Sequence, residues 1–104
     1  WRWCWRRRGP GRPPKPRIIA SMPPNVSFIP HDEDGMPLSA EPVFIMPDEL
    51  EALRLVYIEG LTQQEASRRM GISRGTLWRL LDNGRRKLVL ALVERRPIVL
   101  TSRP

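Results

Sequence analysis

The sequence predicts a mainly α fold, a helix-turn-helix bundle of three to four helices with a small β element from short flanking strands. The first observation is in residues 61–81, where helix caps, a glycine and apolar residues recur in the register of two helices joined by a tight turn. The second is a pair of short runs, 43–46 and 98–101, which are rich in strand-forming residues and bracket the helical region.

Cap signals set the limits of the first helix within residues 61–81. Thr62 and Glu65 match a capping box, in which each side chain accepts a hydrogen bond from the backbone N–H of the other residue. Gly71 indicates the end of this helix, because a left-handed residue after the last turn is easiest without a Cβ. Ser73 then caps the second helix with its hydroxyl oxygen.

The contact between these two helices is predicted from side-chain size and polarity. Ala66 and Ser67 are small enough to let the helices approach closely. Four apolar side chains are expected to fill the contact: Met70, Ile72, Leu77 and Leu80. Five residues remain near the outward start of the second helix: Arg74, Gly75, Thr76, Trp78 and Arg79. Helix-turn-helix proteins lay this part of the motif in the major groove of DNA.

Helical spacing continues on both sides of the motif. Pro47 begins an earlier helix, since a missing N–H has no consequence in the first turn, and Gly60 ends it. The acidic side chains of residues 48–59 are expected to form a solvated face that complements the helix dipole. The second helix of the motif is predicted to continue to about Glu94, with Gly84 as an inward position that permits close helix contact.

Composition divides the chain into three parts. Residues 1–17 form a basic tail rich in Pro, Gly, Trp and Arg, which is predicted to be disordered. Residues 18–46 are predicted to be an irregular connection with short strands, and residues 47–104 the helix-turn-helix domain with a closing strand. The strand candidates are Ile18–Met22, Val43–Met46 and Ile98–Thr101, with an irregular, proline-rich stretch over 23–42. We expect the last two strands to pair antiparallel within the domain, or to pair between subunits at an exposed edge.

Charge is segregated along the chain, whose formal net charge is +7. Residues 1–17 carry seven basic residues and no acid, and residues 67–104 carry ten basic residues and two acids. Residues 18–66 carry nine acids and one basic residue. This distribution is typical of a protein that binds a polyanion, because Lys and Arg release counterions from phosphates. A merely soluble basic protein is the alternative.

These patterns assign candidate DNA contacts to three groups of residues. Base-reading contacts are predicted for Ser73, Arg74, Thr76 and Arg79. Contacts with the DNA backbone are predicted for Arg68, Arg69, Trp78, Arg85, Arg86 and Lys87. Arg12, Lys15 and Arg17 form a candidate minor-groove arm. A guanidinium can donate two hydrogen bonds to a guanine edge, and a threonine can reach a phosphate or a thymine methyl. The alternatives are a Trp78 side chain buried between helices and a tail that acts as a non-specific basic arm.

Other chemistries find little support in the sequence. Cys4 and His31, one residue of each kind, cannot form an internal disulfide or a zinc site, and His31 lacks partners for catalysis. The acidic residues Asp32 and Asp34 match part of a calcium loop, but Pro30 occupies its first ligand position. No apolar run could span a membrane, and the N-terminus does not resemble a secretory signal. We therefore expect a cytoplasmic, non-enzymatic protein with no metal or cofactor.

Four segments together resemble a known family: GRPPKPR (11–17), DELEALRL (48–55), EGLTQQEASRRMGISRGTLWRLL (59–81) and RRKL (85–88). They look like the uncharacterised bacterial and archaeal family catalogued as domain of unknown function 134, over roughly residues 11–101. That family is similar to the sigma-factor domain that reads the upstream promoter element, so the resemblance implies a sigma-factor-like helix-turn-helix. Gly75 and Gly84 depart from the family, which more often has a longer side chain at the first and alanine at the second.

The sequence therefore predicts a sequence-selective DNA-binding protein, a transcriptional regulator whose helix from Ser73 reads the major groove. One motif reads only a few base pairs, so we expect a homodimer on paired half-sites. A sigma factor is not expected, because 104 residues leave no room for a promoter-opening domain. Two other functions stay open: an adaptor that docks on RNA polymerase, and a small basic RNA-binding protein.

Overall fold

The computed structural model describes residues 2–3, 17–20 and 25–102 of the chain. Within this part the strands are β1 (Arg2–Trp3), β2 (Arg17–Ile18), β3 (Val26–Phe28), β4 (Val43–Ile45) and β5 (Ile98–Leu100). The helices are α1 (Pro47–Leu53), α2 (Gln63–Met70) and α3 (Arg74–Glu94), with a π-helical turn over Arg54–Ile58 directly after α1. The predicted fold class, mainly α with a small β element, is confirmed.

The predicted caps of α2 and α3 form as expected. Thr62 Oγ1 accepts a hydrogen bond from the Glu65 N–H at 3.1 Å, and Glu65 Oε1 accepts one from the Thr62 N–H at 3.2 Å. Gly71 adopts the left-handed conformation with φ +66°, which ends α2. Ser73 Oγ then accepts from the Thr76 N–H at 3.1 Å and begins α3.

The contact between α2 and α3 contains the side chains that the sequence predicts. Ala66, Ser67, Met70, Leu77 and Leu80 are buried, and Ile72 is half-buried. Further buried residues extend this core to α1, the π-helical turn and the N-terminal segment: Ala52, Leu53, Leu55, Leu81 and Ile19. Because both ends of the α2–α3 turn insert apolar side chains into one core, the turn is held firmly against the domain.

Gly84 lies where α3 crosses α1, as predicted for an inward position. A Cβ added to Gly84 would lie 2.8 Å from Leu53 Cδ1 and 3.7 Å from Glu49 Cβ. The absence of a side chain therefore allows the two helices to approach closely, and α3 continues to Glu94 without a break.

The helix predicted between Pro47 and Gly60 is not α-helical throughout. After Leu53 the hydrogen bonds widen, so that the Glu59 N–H donates to the Arg54 carbonyl five residues earlier at 3.0 Å. Gly60 follows with φ +72° and ends the segment, as expected. No sequence signal distinguishes this wider turn from regular helix.

The sheet differs from the prediction in its pairing. β4 and β5 are parallel, with Val43 opposite Ile98, so the expected antiparallel pairing is wrong. The intervening helical region acts as a crossover that returns the chain to the same end of the sheet, which is the connection that parallel neighbours require. β5 is the central strand, and it also pairs antiparallel with β3, with Phe28 opposite Ile98.

β3 itself was expected to be irregular, because it falls in the proline-rich stretch over 23–42. Val26–Phe28 has only three residues, so its apolar–polar alternation is too short to identify a strand, and all three side chains are exposed. Its backbone is ordered by hydrogen bonds to β5 rather than by side-chain burial. The strand candidate at Ile18–Met22 is represented by β2 at Arg17–Ile18, and residues 21–24 lie outside the described part.

Candidate nucleic-acid interface

Four arginines surround the turn between α2 and α3. Arg68 and Arg69 lie in the last turn of α2, and Arg74 and Arg79 in the first two turns of α3, and all four are exposed. Among the residues that the structure describes, no carboxylate forms a salt bridge with any of them. We call these four residues the arginine front.

The nearest acidic influence on this front is Glu65. Its pKa is lowered, chiefly by hydrogen bonding from the Thr62 side chain, and to a smaller extent by the positive charges of Arg69 and Arg68. Because Glu65 is held in the capping box, it remains turned towards the helix N-terminus. The guanidinium groups therefore remain open to an external anion.

The hydroxyl groups of Ser73 and Thr76 at the start of α3 form hydrogen bonds within this helix. Ser73 Oγ caps α3 and also donates to Thr76 Oγ1 at 3.0 Å. Thr76, which is half-buried, receives in addition a long contact of 3.5 Å from Arg79 Nη2. Gly75 between them is exposed, and a Cβ there would meet nothing nearer than Ser73 Oγ at 4.0 Å. The backbone of this first turn is thus open to close approach by a ligand.

Trp78 is exposed, with 51% of its surface accessible, so its predicted alternative, burial between helices, is wrong. It follows Arg74 by one helical turn and therefore lies on the same side of α3. An exposed indole beside an arginine offers a flat apolar surface next to a cation, which suits contact with the sugars and phosphates of a nucleic acid.

The basic residues one to two turns further along α3 have partners within the protein. Arg85 Nη1 donates to the Tyr57 hydroxyl at 2.9 Å, and Arg86 Nε lies 3.2 Å from Asp82 Oδ2. Both arginines are exposed and retain free donor groups. Lys87 instead points inwards: its Nζ donates to Glu49 Oε1 on α1 at 2.7 Å.

The candidate minor-groove arm is described only at its end. Arg12 and Lys15 lie outside the described residues. Arg17 is in β2, where its Nε lies 3.4 Å from Asp48 Oδ2 and its side chain is only 18% exposed. Arg17 therefore anchors the N-terminal segment to α1, and its charge is directed into the protein.

The expected solvated acidic face on α1 is wrong. Asp48, Glu49 and Glu51 are buried, and each meets a cation: Arg17, Lys87 and Arg54 respectively. Glu49 also accepts from the Met46 N–H, and Glu51 from the Ala20 N–H. Burial raises the pKa of Asp48, while the positive charge of Arg17 partly opposes this rise.

Sequence reasoning missed these contacts because two of the partners are distant along the chain. The bonds from Ala20 to Glu51 and from Lys87 to Glu49 span 31 and 38 residues. The acids at positions 48, 49 and 51 fall within less than half of the helix circumference, so their spacing does not distinguish a solvated face from one that packs against a neighbouring element.

Two kinds of feature are absent from the described residues. In that part of the chain no helix has both the length and the apolar character needed to cross a membrane. The same residues contain no group of three or more His, Cys, Asp or Glu side chains arranged to hold a metal ion.

Comparison with known proteins identifies relatives along most of the chain. A family model described as protein of unknown function DUF134 matches residues 5–103. A UPF0251 protein of Pyrococcus furiosus is 45% identical over 95 residues, which are 90% of this chain and 86% of that relative. A UPF0251 protein of Methanosarcina acetivorans is 47% identical over 83 residues, or 79% of this chain and 71% of the relative. In a UPF0251 protein of Thermococcus kodakarensis the match is 54% over 59 residues, about half (52%) of that relative. No solved structure matches the chain.

Proposed function

The chain belongs to the DUF134 family of proteins of unknown function, and we propose that it is a sequence-selective DNA-binding protein that regulates transcription. The observation that supports this function is the arginine front, four exposed arginines on both sides of one tight turn, without salt bridges to any described carboxylate. Elsewhere in the described part, Arg17, Arg54, Arg86, Lys87 and Arg96 have carboxylate partners. Unpaired cations gathered in one place favour an external polyanion as their partner.

The reading helix in this proposal is α3. Its first two turns present Arg74 and Arg79 outwards, beside the bare backbone of Gly75, so the helix can enter a major groove closely. Thr76 Oγ1 accepts from Ser73 Oγ and, at 3.5 Å, from Arg79 Nη2, so in this proposal its main role is to position Arg79. We assign Ser73 a capping role, because its hydroxyl already makes two hydrogen bonds within α3.

The DNA backbone is contacted by residues that flank this helix start. Arg68 and Arg69 at the end of α2, and Trp78, Arg85 and Arg86 along α3, are exposed and suited to phosphate and sugar contacts. Lys87 is omitted from this set because its ammonium group is bound by Glu49. A role on the chromosome implies a cytoplasmic location.

Selection of bound sequences from random duplex DNA tests the function. We expect the intact chain to enrich a defined motif, and its affinity to fall steeply with salt, by a slope close to the number of phosphates contacted. Matched single- and double-stranded RNA serve as competitors. Enrichment without any sequence motif, or tighter binding to RNA, would favour the basic RNA-binding alternative. Absence of binding to either nucleic acid would favour an adaptor that docks on RNA polymerase.

A second copy of the chain is the partner that we propose for the C-terminal half of α3. Val89, Leu92 and Val93 follow the helical spacing of one face and are 58%, 74% and 69% exposed. Together with the neighbouring Leu90, which is 40% exposed, they form an apolar patch on the order of a few hundred Å². That area is similar to the largest exposed apolar patch of a typical monomeric protein. Two such patches would supply a substantial part of the roughly 800 Å² per partner of a stable interface.

Dimerisation through this patch predicts that the Leu92→Glu, Val93→Glu double variant is monomeric. Two carboxylates in an apolar interface would be desolvated without partners, so the subunits separate. Sedimentation equilibrium at several concentrations measures the change, and selection of DNA sites should yield half-sites in place of paired sites. Met36→Glu, which alters another exposed apolar residue (62%), is the control and should remain dimeric. A wild-type chain that is monomeric at all concentrations contradicts the proposal.

A further inference from the structure

Tyr57 and Arg85 form a hydrogen-bonded pair on the surface of the protein, although they are 28 residues apart in the chain. Arg85 Nη1 donates to the Tyr57 hydroxyl oxygen at 2.9 Å. Tyr57 is 56% exposed, and Arg85 is exposed as well. A hydrogen bond between two exposed side chains contributes little to folding stability, because water can replace either partner. The pair is therefore of more interest for what it presents to a ligand than for the fold.

The π-helical turn over Arg54–Ile58 brings Tyr57 to the surface. In a regular α-helix Tyr57 would follow Leu53 by four residues and lie on the same face. Leu53 is 9% exposed and belongs to the main core. The wider turn rotates the residues that follow Leu53, so the Tyr57 side chain leaves that buried face. Turns of this kind are frequent at functional sites, which supports a role for the residue that it exposes.

Arg85 lies on the side of α3 that carries Arg74 and Trp78. Trp78 follows Arg74 by four residues and Arg85 follows Trp78 by seven, so all three lie within about 40° around the helix axis. The helical rise places Arg85 roughly 16 Å further along α3 than Arg74. The major groove is about 12 Å wide and about 8.5 Å deep. When the first two turns of α3 lie in the groove, Arg85 therefore lies at the phosphate backbone that borders it.

The pair has donor groups that the protein itself does not use. A phenolic hydroxyl can accept one hydrogen bond and donate another, and among the described residues the Tyr57 hydroxyl bonds only to Arg85. A guanidinium has five N–H groups, and no described carboxylate forms a salt bridge with that of Arg85. Arginine and tyrosine side chains both donate to phosphate oxygens. Tyr57 and Arg85 can therefore bind two oxygens of the same phosphate.

We propose that Tyr57 and Arg85 together hold one phosphate of the bound duplex at the edge of the major groove. This inference rests on the proposed function, and it adds a DNA contact from the π-helical turn, outside the helix-turn-helix. Tyr57 orients the Arg85 guanidinium, so less side-chain entropy is lost on binding, and it also donates its own proton to the phosphate. Because every nucleotide carries the same phosphate, the contact raises affinity without selecting a sequence.

Tyr57→Phe in the full chain tests this contact, because it removes one hydroxyl and leaves the aromatic ring and the net charge unchanged. We expect the affinity for the selected and the scrambled duplex to fall by the same factor, about two- to tenfold, as for the loss of one hydrogen bond. The midpoint of thermal unfolding should not change, since the hydroxyl is exposed. Ser27→Ala removes an exposed hydroxyl from β3 and should bind DNA as the wild type does.

Duplexes that carry a single neutral methylphosphonate at successive backbone positions identify the phosphate that is held. The wild type should lose affinity at each contacted phosphate, and at one of them Tyr57→Phe should lose much less, because that interaction is already weakened. Arg85→Ala should show its smaller loss at the same phosphate, and its salt slope should fall by about one unit. The double variant should bind less than about twofold more weakly than Arg85→Ala, since both side chains act on one phosphate.

The outcomes separate this contact from other roles. An equal loss for both duplexes, with one phosphate common to the two single variants, supports the inference. Wild-type affinity of Tyr57→Phe, independent losses at different phosphates, or a changed specificity ratio overturns it while the proposed function stands. A lower unfolding midpoint of Tyr57→Phe with an unchanged phosphate pattern assigns the hydroxyl to the fold and overturns it too. If the intact chain binds no duplex DNA, the proposed function and the inference both fail.

Discussion

Replacement of Arg74 and Arg79 together by alanine is expected to remove the sequence preference of the protein for duplex DNA. Both side chains are exposed at the start of α3 and neither forms a salt bridge with a described carboxylate, so the substitutions leave the core and the caps intact. A bidentate interaction with guanine contributes about 1–3 kcal/mol of discrimination, so removal of two such interactions lowers the specificity ratio by at least about thirtyfold. Competition between the selected site and a scrambled duplex measures this ratio.

The matched control removes the same charge from the same helix. Arg85→Ala with Arg86→Ala should weaken binding to the selected and scrambled duplexes by similar factors, and should reduce the salt slope by about one unit for each phosphate that is no longer bound. Arg85 and Arg86 already share their donors with Tyr57 and Asp82, so the decrease in affinity should be modest. If both double variants lower affinity equally for all sequences, the arginine front binds only the DNA backbone, and the base-reading role of α3 is wrong.

Lys87→Met is expected to destabilise the domain without altering the salt dependence of DNA binding. Lys87 Nζ donates to the buried Glu49 carboxylate at 2.7 Å, and its removal leaves that carboxylate with the Met46 N–H. Removal of one partner of a fully buried ion pair costs about 3–5 kcal/mol. Because Lys87 is 34% exposed, solvent screening reduces this cost, and we expect a decrease of about 1–3 kcal/mol in the free energy of unfolding.

Chemical denaturation measures that decrease, and Arg86→Met provides the comparison at the neighbouring position. Arg86 is paired with Asp82 at the surface, with 79% of its side chain exposed, so its replacement should change the free energy of unfolding by less than about 1 kcal/mol. Unchanged stability of Lys87→Met together with a salt slope lower by about one unit would show that Lys87 contacts phosphate, as its sequence context suggests.

The sequence was sufficient for the caps, the turn and the inward face of α3, which depend on neighbours within one or two turns, although it did not predict the π-helical turn after α1. Thr62, Glu65, Gly71 and Ser73 act through hydrogen bonds and backbone conformations that close within about five residues, so their spacing predicts α2, the turn and the start of α3. Apolar spacing along α3 likewise predicts its inward face, including Gly84. The candidate interface could be placed on the molecule for the same reason, since it consists of the side chains that these signals leave outside.

Features that depend on distant residues could not be obtained in this way. The strand direction of β5 depends on how the whole helical region folds back, and β3 exists because β5 offers it hydrogen-bond partners. By residue type alone, Lys87 and Arg17 look like further DNA contacts, yet each meets a buried acid of α1. The residue type alone does not distinguish a cation that faces solvent from one that binds a carboxylate.

For this protein, local chemistry in the chain specifies the helices, their caps and the outward start of α3, because those interactions are short in sequence and nearly independent of context. Only the folded structure decides which cations of the described residues have carboxylate partners. The arginine front has none there, whereas Arg17 and Lys87 each bind a buried acid of α1. The reason is that electrostatic pairing and burial depend on distances in space. Close packing of α3 on α1 at Gly84 brings Lys87 to Glu49, and contact of residues 17–20 with α1 brings Arg17 to Asp48.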